Sequence, residues 1–514
     1  MGSRGAVATS QSLATLAGME MLSAGGNAVD AAIAMAIALT VVEPTSNGIG
    51  SDAFALVWDG GMHGLNASGK SPHGLPLEPF ADLPQMPTLG WLTPTVPGAV
   101  SAWQSLWKRW GKLPFERLFE PAIRYAEQGF PVSPEVARAW SRAEALFVSL
   151  SGEEFAPFQE VFFVEGRAPR AGEIWRSPNH AKTLSAIATT GGEAFYRGEL
   201  ADAIVQFAET TGGYFTGEDF ATHQAEWVEP ISTTYRGVTV WELPPNTQGI
   251  AALMALNILE GLDLAQHGRD SIESYHMQIE AMKLAYADVY RHVSDTRFME
   301  LSIEELLSKV YAAERRQLIR DRAIPLPTSG MTKGGTVYLA AADEELMVSF
   351  IQSNYNGFGS GILIPNTGIA LHNRGTGFST QIGHPNRVAA GKRPFHTIIP
   401  GFLSYDDQPI GPFGVMGAPM QPQGHLQMVV NLVDYGMNPQ AALDAPRWRW
   451  IAKDQVLLEP PVFPTVAVGL SDRAHQIQLS AEPSAFGRGQ IILRSGETLI
   501  AASEPRADGL ALAW

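Results

Sequence analysis

The sequence predicts a layered α+β protein rather than a doubly wound parallel sheet. Helical periodicity dominates the first two thirds of the chain, strand-like alternation dominates the rest, and no regular βαβ rhythm joins them. A polar, Pro/Gly-rich segment from Ile324 to Gly335 marks the switch. Gln11 to Val42 reads as two helices broken at Gly25-Gly26-Asn27. The second is Ala-rich all round, which implies tight burial between layers. Phe54 to Trp58 reads as a strand and Asp59-Gly60-Gly61 as its hairpin turn. Pro-rich loops run to Pro97, and helical patterns then occupy Ala99 to Leu150 and Asn179 to Thr211. Tyr235 to Leu243 is expected as one strand ending at Pro244-Pro245, with helices near Gly249–Leu262 and Ser271–Val293. Beyond Gly335, Thr336–Ala342 and Glu345–Ser353 form two expected strands joined by an acidic turn. Further strands are expected around Ile369–Leu371, Ile398–Ser404 and Val456–Leu458, with a helix at Leu426–Tyr435.

Composition removes several functions. The 514 residues contain no cysteine, which excludes a disulfide framework, a Cys nucleophile, an iron–sulfur cluster and a thiolate zinc site. With 36 Lys+Arg against 52 Asp+Glu, the net charge of −16 argues against nonspecific nucleic-acid binding. At about 150 residues per domain the length suggests roughly three units. The first ten residues carry one cation and no apolar stretch, so no signal peptide is visible and a soluble, cytoplasmic protein is expected. The longest apolar run, Ala31 to Val42, falls well short of the about 20 residues that span a bilayer.

Most motif searches end quickly. Gly64-Leu-Asn-Ala-Ser-Gly69-Lys70-Ser71 matches the P-loop pattern, but Pro72 to Pro79 cannot continue into the helix such a loop requires. Gly48-Ile-Gly50 lacks the context of a dinucleotide fingerprint, and HExxH, EF-hand and GxSxG patterns are absent. His276 and Glu280 stand at metal-compatible spacing, yet no third ligand presents itself and no metal or cofactor is expected. The 12 Trp are expected mainly as packing residues.

Thr336 is different. It follows Gly334-Gly335 at the junction of a loop and a strand, where peptide cleavage would make it N-terminal. A free α-amino group titrates near about 7.7–8, so it would serve as base for the hydroxyl beside it. Most threonines that begin a strand are simply strand residues.

The surrounding residues weigh toward chemistry. Gly25-Gly-Asn-Ala-Val-Asp-Ala-Ala32 followed by Val42-Glu-Pro-Thr-Ser-Asn-Gly-Ile-Gly50 closely resembles the N-terminal signature of γ-glutamyltranspeptidases. Tyr235-Arg-Gly237, Lys283-Leu-Ala-Tyr-Ala-Asp288, Phe358-Gly-Ser-Gly361, Gly391-Lys-Arg-Pro394, Asp444-Ala-Pro-Arg447 and Ser503-Glu-Pro-Arg506 continue the likeness in family order to the end. The resemblance implies an N-terminal nucleophile hydrolase with a four-layer αββα sandwich. It implies autocleavage between Gly335 and Thr336, giving a large subunit of residues 1–335 and a small one of 336–514, paired as a heterodimer in one intertwined domain, with a dimer of these heterodimers as an open alternative. Thr336 matches the nucleophile, Ser353 a residue that supports it, and Asp343 an Asp that ends the same strand. The oxyanion glycine pair falls on Gly417 and Ala418; backbone N–H groups do that work, so alanine is tolerated.

The substrate columns depart from the family. Its carboxylate-binding arginine is Ser68 here, with Lys70 the nearest cation. Its ammonium-binding Asp is Gly377, and the Asp beside that is Thr376. Its paired serines are His396 and Thr397, and its asparagine is Tyr355, with Asn354 adjacent. The stretch Ser379 to Lys392 leaves little room for a lid loop. Arg374 is either a substitute carboxylate clamp or half of a structural salt bridge. The pattern resembles a divergent branch containing oxamate amidohydrolase and cephalosporin acylases. The leading expectation is an autoprocessed amide hydrolase or acyltransferase acting on a γ-glutamyl or related acyl amide. Alternatives are a non-γ-glutamyl amidohydrolase or acylase and, in another class, an unprocessed, non-catalytic binding relative. A P-loop nucleotidase is the weakest reading. The expected partner is a small-molecule amide, with no nucleic acid and no membrane.

Overall fold

The computed structural model describes residues 1–325, 335–460 and 462–514. The expected polar segment therefore lies mostly outside the described residues, at 326–334.

Two antiparallel sheets pack face to face, and each has helices on its outer face. The first has seven strands in the order Leu510–Ala513, Gly5–Thr9, Gly335–Asp343, Met347–Tyr355, Asp52–Trp58, Met62–Asn66 and Glu226–Val228. The second has six, in the order Thr498–Ser503, Arg488–Ser495, Gln408–Met416, Gly401–Tyr405, Val238–Glu242 and Ile231–Tyr235. Strands from before and after Gly335 interleave in the seven-stranded sheet and meet in the six-stranded one, where Gly401–Tyr405 pairs with Val238–Glu242, so the two halves share one core. This is the four-layer αββα arrangement.

Side-chain alternation explains the layers. On Gly335–Asp343, Val337, Leu339 and Ala341 join the core beneath the helices, whereas Tyr338, Ala340 and Ala342 join the core between the sheets. The helix Ala28–Val42 is buried along its whole length because Ala dominates both faces and lets neighbours approach from every side. Its N-terminus is held twice. Asn27 and Asp30 form a reciprocal capping box, and Asp343 accepts a hydrogen bond from the Ala28 N–H at 2.6 Å. On the far side, Gly249–Leu259, Ile272–His292 and Met420–Val433 cover the six-stranded sheet.

Four sequence expectations change. Tyr235–Leu243 is not one strand: Arg236 and Gly237, both at positive φ, turn the chain between Ile231–Tyr235 and Val238–Glu242. Ile369–Leu371 makes only isolated bridges, Leu363 with Ala370 and Gly50 with Leu371. The helical stretch Ala99–Leu150 is broken into Ala99–Trp110, Glu120–Gln128 and Pro134–Val148 by Gly111, Pro114 and Gly129. His276 and Glu280 do have a third neighbour, because the fold brings His475 beside them. There the ammonium of Lys283 pairs with Glu280 at 2.8 Å and the two imidazoles hydrogen-bond each other at 2.8 Å. Lys283 thus balances the charge of Glu280, while the buried Nδ1 of His475 has no hydrogen-bond partner among the described residues. Among the described residues, no helix is long and apolar enough to cross a membrane.

His180, His396 and His475 are buried, and burial lowers their pKa to about 4, about 3 and about 3. Below about pH 6.5 the unfolded chain binds protons that these folded-state imidazoles refuse, so stability falls with pH by up to about 1.4 kcal/mol per unit per histidine. Thermal unfolding should shift down by several degrees between pH 7 and pH 4.5. A midpoint that stays flat or rises would contradict this.

Candidate active site

The site is built where Gly335–Asp343 begins. Thr336 is 1% exposed, with its Oγ1 3.1 Å from Ser353 Oγ on the neighbouring strand. Ser353 Oγ donates to the Gly335 carbonyl at 2.7 Å and accepts from the Tyr355 N–H at 2.8 Å. Since the single Ser353 proton is committed to Gly335, Thr336 is the donor in the pair. One hydroxyl thus ties the Thr336 side chain to the carbonyl immediately before it. A register shift between Gln352 and Tyr355 makes this possible, and Tyr355 sits at φ 73° to accommodate it.

Gly417 and Ala418 lie between the strand Gln408–Met416 and the helix Met420–Val433. Gly417 has φ 140° and Ala418 φ 52°. The left-handed region costs a non-glycine residue about 1–2 kcal/mol, so alanine at 418 is held there by its surroundings. Gln248 is one of the holders, since its Nε2 donates to both the Thr397 and the Ala418 carbonyls. The start of the Met420–Val433 helix adds positive potential at this turn.

Gly335, Gly417, Arg138, Arg142, Arg449 and Arg488 line a cleft of about 480 Å³. Arg374 lies outside it, fully buried, with its guanidinium 4.4 Å over the Tyr355 ring. Its Nη1 donates to Thr397 Oγ1 at 2.8 Å, while Nε and Nη2 have no hydrogen-bond partner among the described residues. Burial lowers its pKa to about 10, against the opposing pull of Asp52, so it stays cationic at neutral pH. Among the described residues it forms no ion pair, which removes the salt-bridge alternative for this residue.

Asp52 is the anion behind this group, and sequence reasoning missed it. Burial pushes its carboxyl up, but His372 at 3.5 Å and His396 at 3.0 Å outweigh that and hold it below the usual carboxylate range. His396 is neutral, its Nε2–H donating to Asp52. The signal lay in an acid opening an otherwise apolar strand, Asp52 to Trp58.

The remaining sequence candidates divide. Asn354 Oδ1 accepts from Ser51 Oγ at 2.8 Å, and its Nδ2 has no partner among the described residues. Ser68 is buried against Asn66 and Asn246 and brings no charge. Lys70 does not join the cleft beside Gly335. It lines a separate cavity of about 370 Å³ with His73, Asp219, Glu226 and Arg393, and no helix follows it, so the P-loop match is accidental. At Gly377 an added Cβ would lie 2.4 Å from the Phe395 carbonyl oxygen, so no acidic side chain fits without moving backbone. Thr376 donates to the Pro87 carbonyl at 2.8 Å.

Comparisons with known proteins give the family and the fold. Residues 14–514 match the family model described as gamma-glutamyltranspeptidase. The chain is 37% identical to the glutathione hydrolase-like YwrD proenzyme of Bacillus subtilis, across 88% of this chain and 86% of that one. It is 33% identical to the oxamate amidohydrolase proenzyme of Klebsiella pneumoniae, across 98% and 97%. Among solved structures, cephalosporin acylase from Bacillus halodurans superposes with a TM-score of 0.96 at 53% identity, covering 100% of this chain and 96% of that one. The chain belongs to the γ-glutamyltranspeptidase family and is an enzyme with the N-terminal nucleophile hydrolase fold.

Proposed function

We propose that the chain is a precursor that cuts itself between Gly335 and Thr336, and that the mature enzyme hydrolyses amides whose acyl arm ends in a carboxylate and needs no α-ammonium group. In the first step Thr336 Oγ attacks the Gly335 carbonyl, the Thr336 nitrogen leaves carbon for a proton, and an ester joins Gly335 to the hydroxyl. Water then cleaves that ester. Residues 1–335 and 336–514 remain together because their strands interleave in the seven-stranded sheet and pair again in the six-stranded one. The Gly335 carbonyl is prepared for attack by the Ser353 hydroxyl, which donates to its oxygen.

The mature cycle uses the freed amine. The Thr336 α-amino group takes the hydroxyl proton as Oγ attacks the substrate carbonyl, and the N–H groups of Gly417 and Ala418 receive the developing oxyanion. The amine passes its proton to the leaving nitrogen as the C–N bond breaks, leaving an acyl ester on Thr336. Water, deprotonated by the same amine, adds to the ester; the acid departs and Oγ recovers its proton. Replacing water by another amine gives acyl transfer through the same intermediate.

The observation that carries the acyl preference is Arg374, buried and cationic with two unpaired donors. Burying a cation without its partner is costly, and a ligand carboxylate would complete it. The opposite holds for an ammonium. Gly377 has no room for an acid, and Ser68 and Thr376 bring no charge. Similarity to a cephalosporin acylase and an oxamate amidohydrolase supports acyl groups other than γ-glutamyl. A γ-glutamyl donor is the second reading, favoured by the glutathione hydrolase-like relative.

Three outcomes test this. On a denaturing gel the 55.4 kDa wild-type chain should resolve into two bands. Thr336→Ala should stay whole, and Ser353→Ala should be processed at least about tenfold more slowly. A wild-type chain that persists as one band, or a Thr336→Ala chain that still splits, refutes the processing step. With purified enzyme, kcat/KM for a glutaryl anilide should exceed that for the γ-glutamyl anilide by about tenfold or more, the scale of one charge-assisted contact. The reverse order refutes the acyl assignment. Arg374→Met should raise KM for the glutaryl anilide by a similar factor while leaving a pentanoyl anilide nearly unchanged.

A further inference from the structure

We infer that Arg449 makes the cleft beside Gly335 a subsite for the leaving half of the substrate, and that this half is an amine bearing a carboxylate. The inference rests on the amide-hydrolase reading above. None of Ser68, Arg374, Gly377, His396 and Thr397, the residues assigned to the acyl arm, lines this cleft. Gly335 and Gly417 do, so the cleft adjoins the bond to be cut and the oxyanion turn, with Arg374 outside its lining. The half of an amide substrate that does not reach Arg374 has this space to occupy.

Charge identifies what fits there. The cleft presents four arginines and two glutamates, in a chain whose net charge is −16. Three of the arginines are answered. Arg138 pairs with Glu135 at 3.2 Å, Arg142 with Glu482 at 2.6 Å, and Arg488 with Glu135 at 3.4 Å. Arg449 is not. It forms no ion pair among the described residues; its Nη1 donates to the Ala485 carbonyl at 2.9 Å and its buried Nε has no hydrogen-bond partner. The Ala485 contact fixes the guanidinium in place, and burial disfavours its charge. A positioned, poorly compensated cation in a concave site concentrates anions, and the planar guanidinium suits a carboxylate.

The test uses two glutaryl amides that differ only in the leaving amine, 4-aminobenzoate against 4-aminobenzamide. Wild-type KM should be at least about tenfold lower for the carboxylate-bearing amide, as expected for one charge-assisted contact. Arg449→Met should erase that difference by raising only the 4-aminobenzoate KM, with kcat and self-processing retained, and Arg449→Lys should recover part of it. Equal KM values in the wild type, or equal losses on both substrates in Arg449→Met, overturn the inference. A parallel calorimetric titration of the purified protein with free 4-aminobenzoate and 4-aminobenzamide decides the subsite without turnover. Tighter binding of the benzoate that Arg449→Met abolishes supports it, and indifference to the charge overturns it. Should neither glutaryl amide be hydrolysed, the acyl reading falls while this titration still rules on Arg449.

Discussion

The pairing of Gly335–Asp343 with a strand on either side is the constraint from which the site follows. Gly5–Thr9 meets it along one edge, through the register Gly5 to Asp343 and Thr9 to Leu339, and Met347–Tyr355 meets it along the other. A strand clamped on both edges cannot slide. Sliding by one residue would turn Thr336 from the space between the sheets into the helical layer. The same register sets Asp343, at the other end, against the N-terminus of Ala28–Val42. The placement of Thr336 and the helix cap are thus two consequences of one alignment. It is stabilised by the small side chains Ala6, Ala8, Ala340 and Ala342, which let the sheets approach closely.

How much of this was legible depended on the distance over which each residue's environment is set. Helices such as Ala28–Val42 and Ile272–His292 were readable because the signals that make them, an unbroken Ala-rich run in one and a long stretch of good helix formers in the other, lie within a few residues. The hairpin at Thr336–Ser353 was readable for the same reason: its turn is short and its partners adjacent. Gln408–Met416 was not, because Pro409, Gly411, Pro412 and Gly414 all argue against a strand. Its pairing with Arg488–Ser495 overrides that local preference. Gly5–Thr9 also escaped notice, its partners lying more than 300 residues away.

The site divides along the same line. Thr336, Ser353, Gly417 and Ala418 could be named from family resemblance because two paired strands and one turn fix where they stand. Lys70 is the instructive failure. It stands two residues from Ser68, but the extended chain after Met62–Asn66 carries it to another cavity. Proximity in sequence says little about proximity in a loop that no periodicity governs. Arg374 was visible as a charge, but whether it was paired depended on Asp52, Tyr355 and Thr397, which come from separate segments.

That unpaired state follows from how Asp52 is handled. A carboxylate in direct contact with Arg374 would neutralise it and close the site. Here Asp52 is engaged by His396, His372 and the Gly69 N–H, so its oxygens are occupied at hydrogen-bonding range. Its charge still stabilises the guanidinium through space, opposing the effect of burial. Arg374 is therefore compensated enough to remain cationic, yet two of its donors stay open. An ammonium brought to the same place would meet that cation, with no acid at Gly377 to offset it. The neutral imidazole of His396 on Asp52 is thus part of what leaves the guanidinium cationic with open donors, the state on which the proposed carboxylate preference rests.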